Sequence, residues 1–281
     1  MATATLLITC PDRPGLVAAV ATFLAERDAN IVHADQHVDR LGEVFVQRVE
    51  FTADGHDLST LRADFAEVAR RHDMSWRLHT SDDRPRVAIL ASREPHCLVD
   101  LLGRWAAGSL PGSPELVISN HPDHAGIVGH YGLPYHHLPV NSDTKDQQEA
   151  AMLELLADAG VDLVILARYM QILSPRVVDA YPGRIINIHH SFLPAFAGGR
   201  PYHQAHDRGV KVIGATAHYV TADLDEGPII DQDVTRVSHR DTVDDLIRKG
   251  QDLEKVVLAR AVRLHLTRRV LVVGTKTVVF D

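Results

Sequence analysis

The chain is poor in cysteine, in clustered positive charge and in long apolar runs. Only Cys10 and Cys97 occur among 281 residues. They could form a pair, but so few read as the reduced thiols of a cytoplasmic protein. The formal net charge is −8 and no block of Lys or Arg stands out, which disfavours nucleic acid and anionic membranes as partners. No apolar run approaches the roughly 20 residues that span a bilayer. Residues 1–8 lack a basic segment and soon meet Pro11 and Asp12, so no secretion signal is expected. Three catalytic signatures are also missing. There is no His-Glu-x-x-His and no Cys-x-x-Cys, and the doublets His136/His137 and His189/His190 place neighbouring strand residues on opposite faces. Eighteen histidines therefore imply no metal. No Gly-x-Ser-x-Gly elbow is present to raise a serine nucleophile. The turn Ala91-Ser92-Arg93-Glu94-Pro95-His96 holds no glycine, which argues against a dinucleotide cofactor.

What is present divides into two halves. Hydrophobic residues make up 45% of the chain, enough for one or two cores. Residues 4–9 read as a strand, and Pro11-Asp12-Arg13-Pro14-Gly15 as a tight turn. Leu16, Val20, Phe23 and Leu24 then fall on one helical face. Ile31–Val38 and Glu43–Phe51 are extended. Asp57 is expected to cap a second helix with Leu58, Leu61, Phe65 and Val68 inward, and Ser75–Thr80 closes a βαββαβ order. That order predicts a four-stranded antiparallel, ferredoxin-like sheet over residues 1–81. The polar stretch 81–85 reads as a linker. From 86 to 281 short apolar runs at Val87–Ala91, Leu116–Ser119 and Asp162–Ala167 alternate with helical segments. This predicts an α/β domain with a doubly wound, mostly parallel sheet. Thr144 with Gln147 has capping-box spacing, Asp241 is expected to cap a long last helix, and 270–280 suggests a small β element.

The candidate chemistry sits at the end of the run Arg184–His189. Asn187 and His189 are two apart and share a strand face. An amide can hold an oxyanion, an imidazole can donate or shuttle a proton, and a carboxylate such as Asp225 can accept one. A polar strand end is more often structural, and Asp-x-Gly-Pro alone is most often a turn. The Pro- and Gly-rich stretch 191–202 suits either a ligand-wrapping loop or a plain connector. His218 could contribute or could be a buried hydrogen bonder.

The second half resembles the folate-dependent formyl transfer family. The segments that carry the likeness are Leu166–Pro175, Asn187–Pro194, Gly214–Val220 and Leu224–Ile230. The resemblance implies a formyltransferase-type sheet and Asn187, His189 and Asp225 as catalytic residues. It also implies a pterin site from Arg168, Met170, Gln171, Ile172 and Leu173, with His218, Thr221 and Leu224. The first half is similar to an ACT domain through Asp12–Val17 and Asn30-Ile31. Such modules usually pair between chains and often bind a small amino acid. A homo-oligomer is therefore expected, with glycine or methionine as effector at Asp12, Gly15, Asn30 and Ile31.

An ACT module before such a domain resembles the hydrolytic branch of the family. This implies hydrolysis of 10-formyltetrahydrofolate to formate and tetrahydrofolate, with folate as substrate, no cofactor, and a role in purine synthesis and the one-carbon pool. The turn agrees. Relatives that formylate a phosphorylated amine cradle phosphate on glycine-rich backbone N–H groups, whereas here Pro95 and Glu94 stand in that place and water becomes the acceptor. Formyl transfer to a small amine, a non-catalytic sensor and a metal amidohydrolase are the rival readings.

Overall fold

The computed structural model describes residues 2–52, 55, 57–194 and 201–280. It divides into two compact units, Met1–Asp83 with Arg268–Asp281, and Arg84–Thr267.

The first unit carries β1 (Thr3–Pro11), α1 (Leu16–Ala25), β2 (Ile31–Asp39), β3 (Val44–Thr52), α2 (Leu58–Arg71) and β4 (Ser75–Thr80). The sheet order is β2-β3-β1-β4 and every pair is antiparallel. Alternation on β1 sends Ala4, Leu6, Ile8 and Cys10 into one core with Leu16, Val20, Phe23 and Leu24 of α1, as a period-2 strand and a 3.6-period helix require. Phe65 of α2 packs edge-on against Phe23 and Trp76, with centroids 5.1 and 5.0 Å apart. Burying each such side chain contributes about 1.5–3 kcal/mol. Asp57 caps α2 by accepting from Ser59 N, as its position predicts.

The end of the chain differs from the expected boundary. The sequence pattern predicts one domain over 86–281, yet β12 (Val270–Val273) and β13 (Lys276–Val279) belong to the first unit. The reason is apolar cover. Val46 is buried by Val273 and Phe280, with Val44, Leu271 and Val278 packed against them. The nearly buried Arg48 donates to Arg268 O at 3.1 Å and pairs with Glu50 at 2.9 Å.

The second unit contains β5 (Arg86–Ala91), α3 (His96–Ala106), β6 (Ser113–Ser119), α4 (Ala125–His130), β7 (Tyr135–His137) and α5 (Lys145–Asp158). These are followed by β8 (Leu163–Ala167), α6 (Pro175–Ala180), β9 (Ile185–His189), α7 (Pro201–Arg208), β10 (Val212–Tyr219), β11 (Ile229–Arg236) and α8 (Val243–Leu266). The order is β11-β10-β9-β8-β5-β6-β7. Strands β7 to β9 run parallel, and β10 and β11 add antiparallel pairs. Every residue of β8 is buried, as a central parallel strand covered on both faces should be.

Two caps differ from expectation. Thr144 makes no side-chain cap for α5. Its hydroxyl instead joins a turn in which Asn141 Oδ1 accepts from the N–H groups of Asp143 and Thr144. Asp241 does not cap α8. Thr242 does, in a capping box with Asp245, while Asp241 accepts from Ser238 N and Lys249. An acidic residue three positions on supplies the reciprocal bond that decides between the two neighbours.

Candidate active site

Strand β9 delivers Asn187 and His189 to the carboxyl edge of the parallel sheet, where open α/β sheets bind ligands. The antiparallel pairing of β10 sets His218 opposite Asn187, and Asn187 Nδ2 lies 3.2 Å from His218 Nε2. His218 Nδ1 faces Tyr219 O at 2.9 Å. That carbonyl needs a donor, so the proton sits on Nδ1, and Nε2 accepts from the Asn187 amide. The amide's second N–H then remains for a ligand. His218 is thus both a buried hydrogen bonder and an orienting group.

Asp225 arrives from the loop between β10 and β11. Its φ of 58° lies in the left-handed region, a conformation that costs a non-glycine residue about 1–3 kcal/mol and collects at functional sites. Gly227 holds the loop down, because a Cβ there would fall 1.7 Å from Tyr219 O. Asp225 Oδ2 stands 3.3 Å from His189 Nδ1, and Oδ1 stands 3.6 Å from His218 Nε2. Hydrogen bonding from His189 holds the Asp225 carboxyl well below the usual carboxylate range. It is therefore a firm anion and a poor proton acceptor. His189 Nε2 is buried and has no hydrogen-bond partner among the described residues. With Nδ1 committed to Asp225, that lone nitrogen is the group able to exchange a proton.

Asn187, His189 and Asp225 line one cavity of about 690 Å³, and all eight expected pterin-site residues line it too: Arg168, Met170, Gln171, Ile172, Leu173, His218, Thr221 and Leu224. Met170, Ile172 and Leu224 are 57–62% exposed, leaving apolar surface for a flat heterocycle. The 168–174 loop is braced from three directions. Ser92 Oγ accepts from Met170 N at 3.0 Å and donates to Asn120 Oδ1 at 2.7 Å. Gln148 Nε2 donates to Tyr169 Oη at 3.0 Å. Buried Glu149 accepts from Ser174 N at 2.9 Å and from its hydroxyl. Within the glycine-free turn, Glu94 lines the cavity and Arg93 is exposed.

Comparison with known proteins agrees with this geometry. Residues 85–262 match the formyl transferase family and residues 4–69 match the ACT domain. Formyltetrahydrofolate deformylase of Synechocystis is 55% identical over 280 residues, covering 99% of this chain and 98% of that protein. Its Bacillus subtilis counterpart is 50% identical, covering 98% and 93%. The crystal structure of a formyltetrahydrofolate deformylase from Pseudomonas syringae superposes with a TM-score of 0.98 at 50% identity, covering 100% of this chain and 95% of that one. The chain belongs to the formyltetrahydrofolate deformylase family.

The cavity holds a second polar wall that the sequence reading missed. Glu254 of α8 is 1% exposed. Its Oε1 accepts from the Tyr202 hydroxyl at 2.5 Å, and its Oε2 meets His96 Nε2 at 2.7 Å and Arg168 Nε at 3.4 Å. Hydrogen bonds from His96 and the Arg168 charge outweigh burial and hold this carboxyl below its ordinary value. Gly250, one turn earlier, makes room for Tyr202, since a Cβ there would lie 2.0 Å from Tyr202 Oη. His190 lies beside this wall. Burial, with the charges of Arg168 and His189, lowers its pKa to about 4, so it is neutral near pH 7. The available signal was a glutamate on the inner face of an otherwise apolar helix stripe, Leu246, Gly250, Val257 and Leu258.

His96, Cys97 and Glu254 place ligand atoms within 4.8 Å of one another, but the set suits a cation poorly. Burial pushes the Cys97 thiol well up, and Arg168 puts a fixed positive charge beside Glu254. Of the stretch 191–202, Pro201 and Tyr202 line the cavity, while 195–200 lie outside the described residues.

The four expected effector residues are not gathered. Asp12 and Gly15 follow Pro11, which pairs with Val44, whereas Asn30 bonds Thr52 and Ile31 pairs with Phe51. The two pairs stand at opposite ends of one sheet.

Proposed function

We propose that this chain hydrolyses 10-formyltetrahydrofolate to formate and tetrahydrofolate, with His189 as the proton carrier. The observation that carries the mechanism is His189 itself, a cavity-lining ring with Nδ1 on ionised Asp225 and Nε2 without a partner among the described residues. The pterin lies along the 168–173 loop and Leu224. Water loses a proton to His189 Nε2 as its oxygen bonds to the formyl carbon. Asn187 donates its free N–H to the tetrahedral oxyanion. The imidazolium, held by Asp225, returns the proton to N10 as the C–N bond breaks. One histidine serves as base and then as acid. Asp225 orients and stabilises rather than accepting the proton, which its low pKa favours.

The test is formate release from 10-formyltetrahydrofolate with no amine present. Turnover that appears only on adding glycinamide sinks hydrolysis in favour of formyl transfer. The products fit a role in balancing one-carbon units and supplying formate for purine synthesis. Two free, buried thiols support a reducing, cytoplasmic setting. Among the described residues no helix is long and apolar enough to cross a membrane.

For the ACT unit, regulation by a small amino acid such as glycine or methionine is the reading its family supports. A pocket using both Asp12/Gly15 and Asn30/Ile31 takes its halves from two copies, which fits a homo-oligomer. Calorimetry with each amino acid, with sedimentation in parallel, tests both points. No heat from either amino acid removes the effector.

A further inference from the structure

The second wall leaves part of a guanidinium without an acceptor. Arg168 Nε and Nη1 are buried and have no hydrogen-bond acceptor among the described residues. Unpaired buried donors are rare, and each ordinarily costs about 1–3 kcal/mol, more when charged. The neighbouring carboxylate does not absorb them. Glu254 already takes Tyr202 on one oxygen and His96 on the other, and Arg168 Nε stands 3.4 Å away without a hydrogen bond. Glu94 is engaged by Gln251 Nε2 at 3.2 Å. The arginine is also held at a φ of 59°, a left-handed conformation that a side chain seldom adopts without a compensating role. Its side chain is 13% exposed and lines the same cavity as His189 and His190.

We infer that Arg168 seats a small carboxylate, and that its occupant is formate. A guanidinium presents planar N–H donors suited to a carboxylate, and Arg168 lines a cavity in which the reaction generates one. A metal ion or an incoming ammonium is repelled by the same charge. The existence of the seat follows from the geometry. Its assignment to formate rests on the hydrolytic reading above. At this seat formate leaves Asn187 and His189 free for the next substrate.

The test needs no turnover. Carbon-13 formate is titrated into the full-length protein without folate, and its NMR linewidth is followed. Saturable broadening is expected, weakened at least tenfold in Arg168→Met. In parallel, formate should protect the Arg168 peptide of the wild-type protein from phenylglyoxal, read by mass spectrometry. This arm holds even if the variant fails to fold. Unsaturable broadening, equal affinity in the variant, or no protection overturns the seat. Protection by glutamate but not by formate assigns it to the amino-acid tail of the folate and overturns formate as occupant. Because neither arm uses 10-formyltetrahydrofolate, failure of deformylation leaves their outcome unchanged.

Discussion

The cavity's two walls use similar residues to opposite ends. On one, His218 orients Asn187 and Asp225 holds His189, which leaves His189 Nε2 and one Asn187 N–H without a partner among the described residues. On the other, one buried carboxylate is shared by Tyr202, His96 and Arg168, with part of the Arg168 guanidinium left without an acceptor among the described residues. The first arrangement isolates a proton-exchanging group. The second builds an electrostatic surface around one buried ion pair. Adjacent polar side chains thus acquire distinct tasks through which lone pairs their neighbours consume.

The contrast is broken most severely at the first wall. Asn187→Ala is expected to lose about 10²–10³ in kcat, and Asp225→Asn or His189→Ala about 10²–10⁴. Formate release measures the loss, and melting temperatures should stay near wild type except in Asp225→Asn, which gives up the stability of the paired carboxylate. Near wild-type turnover in any one removes that residue from the mechanism. The second wall should fail in the other currency. Glu254→Leu leaves Arg168 and His96 without their anion and is expected to destabilise the fold by about 3–5 kcal/mol in urea. A neutral effect on stability would mean the wall is solvated rather than dry.

A smaller effect separates binding from chemistry. Ser92→Ala frees the Met170 N–H from its brace, and the loss of about 1.4 kcal/mol should appear as a tenfold rise in KM. The turnover number should hold within about threefold, and Ser92→Thr should recover much of the loss. A falling kcat at constant KM would place Ser92 in the chemistry instead.

The pH response bears on His190, which touches both walls. Its folded pKa, about 4, lies below the usual 6.5. Between those values the unfolded chain binds more protons, so stability rises with pH across that window and is lost on acidification. A slope of up to about 1.4 kcal/mol per unit is expected, shallower in His190→Asn. Asp225 acts lower. Its depressed pKa contributes stability that is full above about pH 4 and is lost below it. Tyr202→Phe should cost least, about 1 kcal/mol.

The first wall was legible in the sequence because a strand does local work. Asn187 and His189 sit two apart at the end of one apolar run, and Asp225 lies on an adjoining Gly-Pro turn. The second wall joins residues 96, 168, 202 and 254, which come from α3, the loop after β8, α7 and α8. No short motif spans them, and only the misplaced charge of Glu254 announced a site. The main element assignments followed from periodicity, since β4 and α4 begin and end where the apolar pattern does. The caps did not, because Asp241 and Thr242 are both good cap residues and a side chain three positions on decides between them. The terminal hairpin was misassigned for a related reason. Its partner, Val46, is more than two hundred positions away in the chain.

That hairpin has a consequence for biosynthesis. The part of the chain made first stays uncovered at Val44 and Val46 until residues 268–280 have left the ribosome. The intervening segment can reach its own fold before then. The leading sheet is thus finished last, and a premature stop near residue 268 would leave its bare valines to chaperones or to a neighbouring copy.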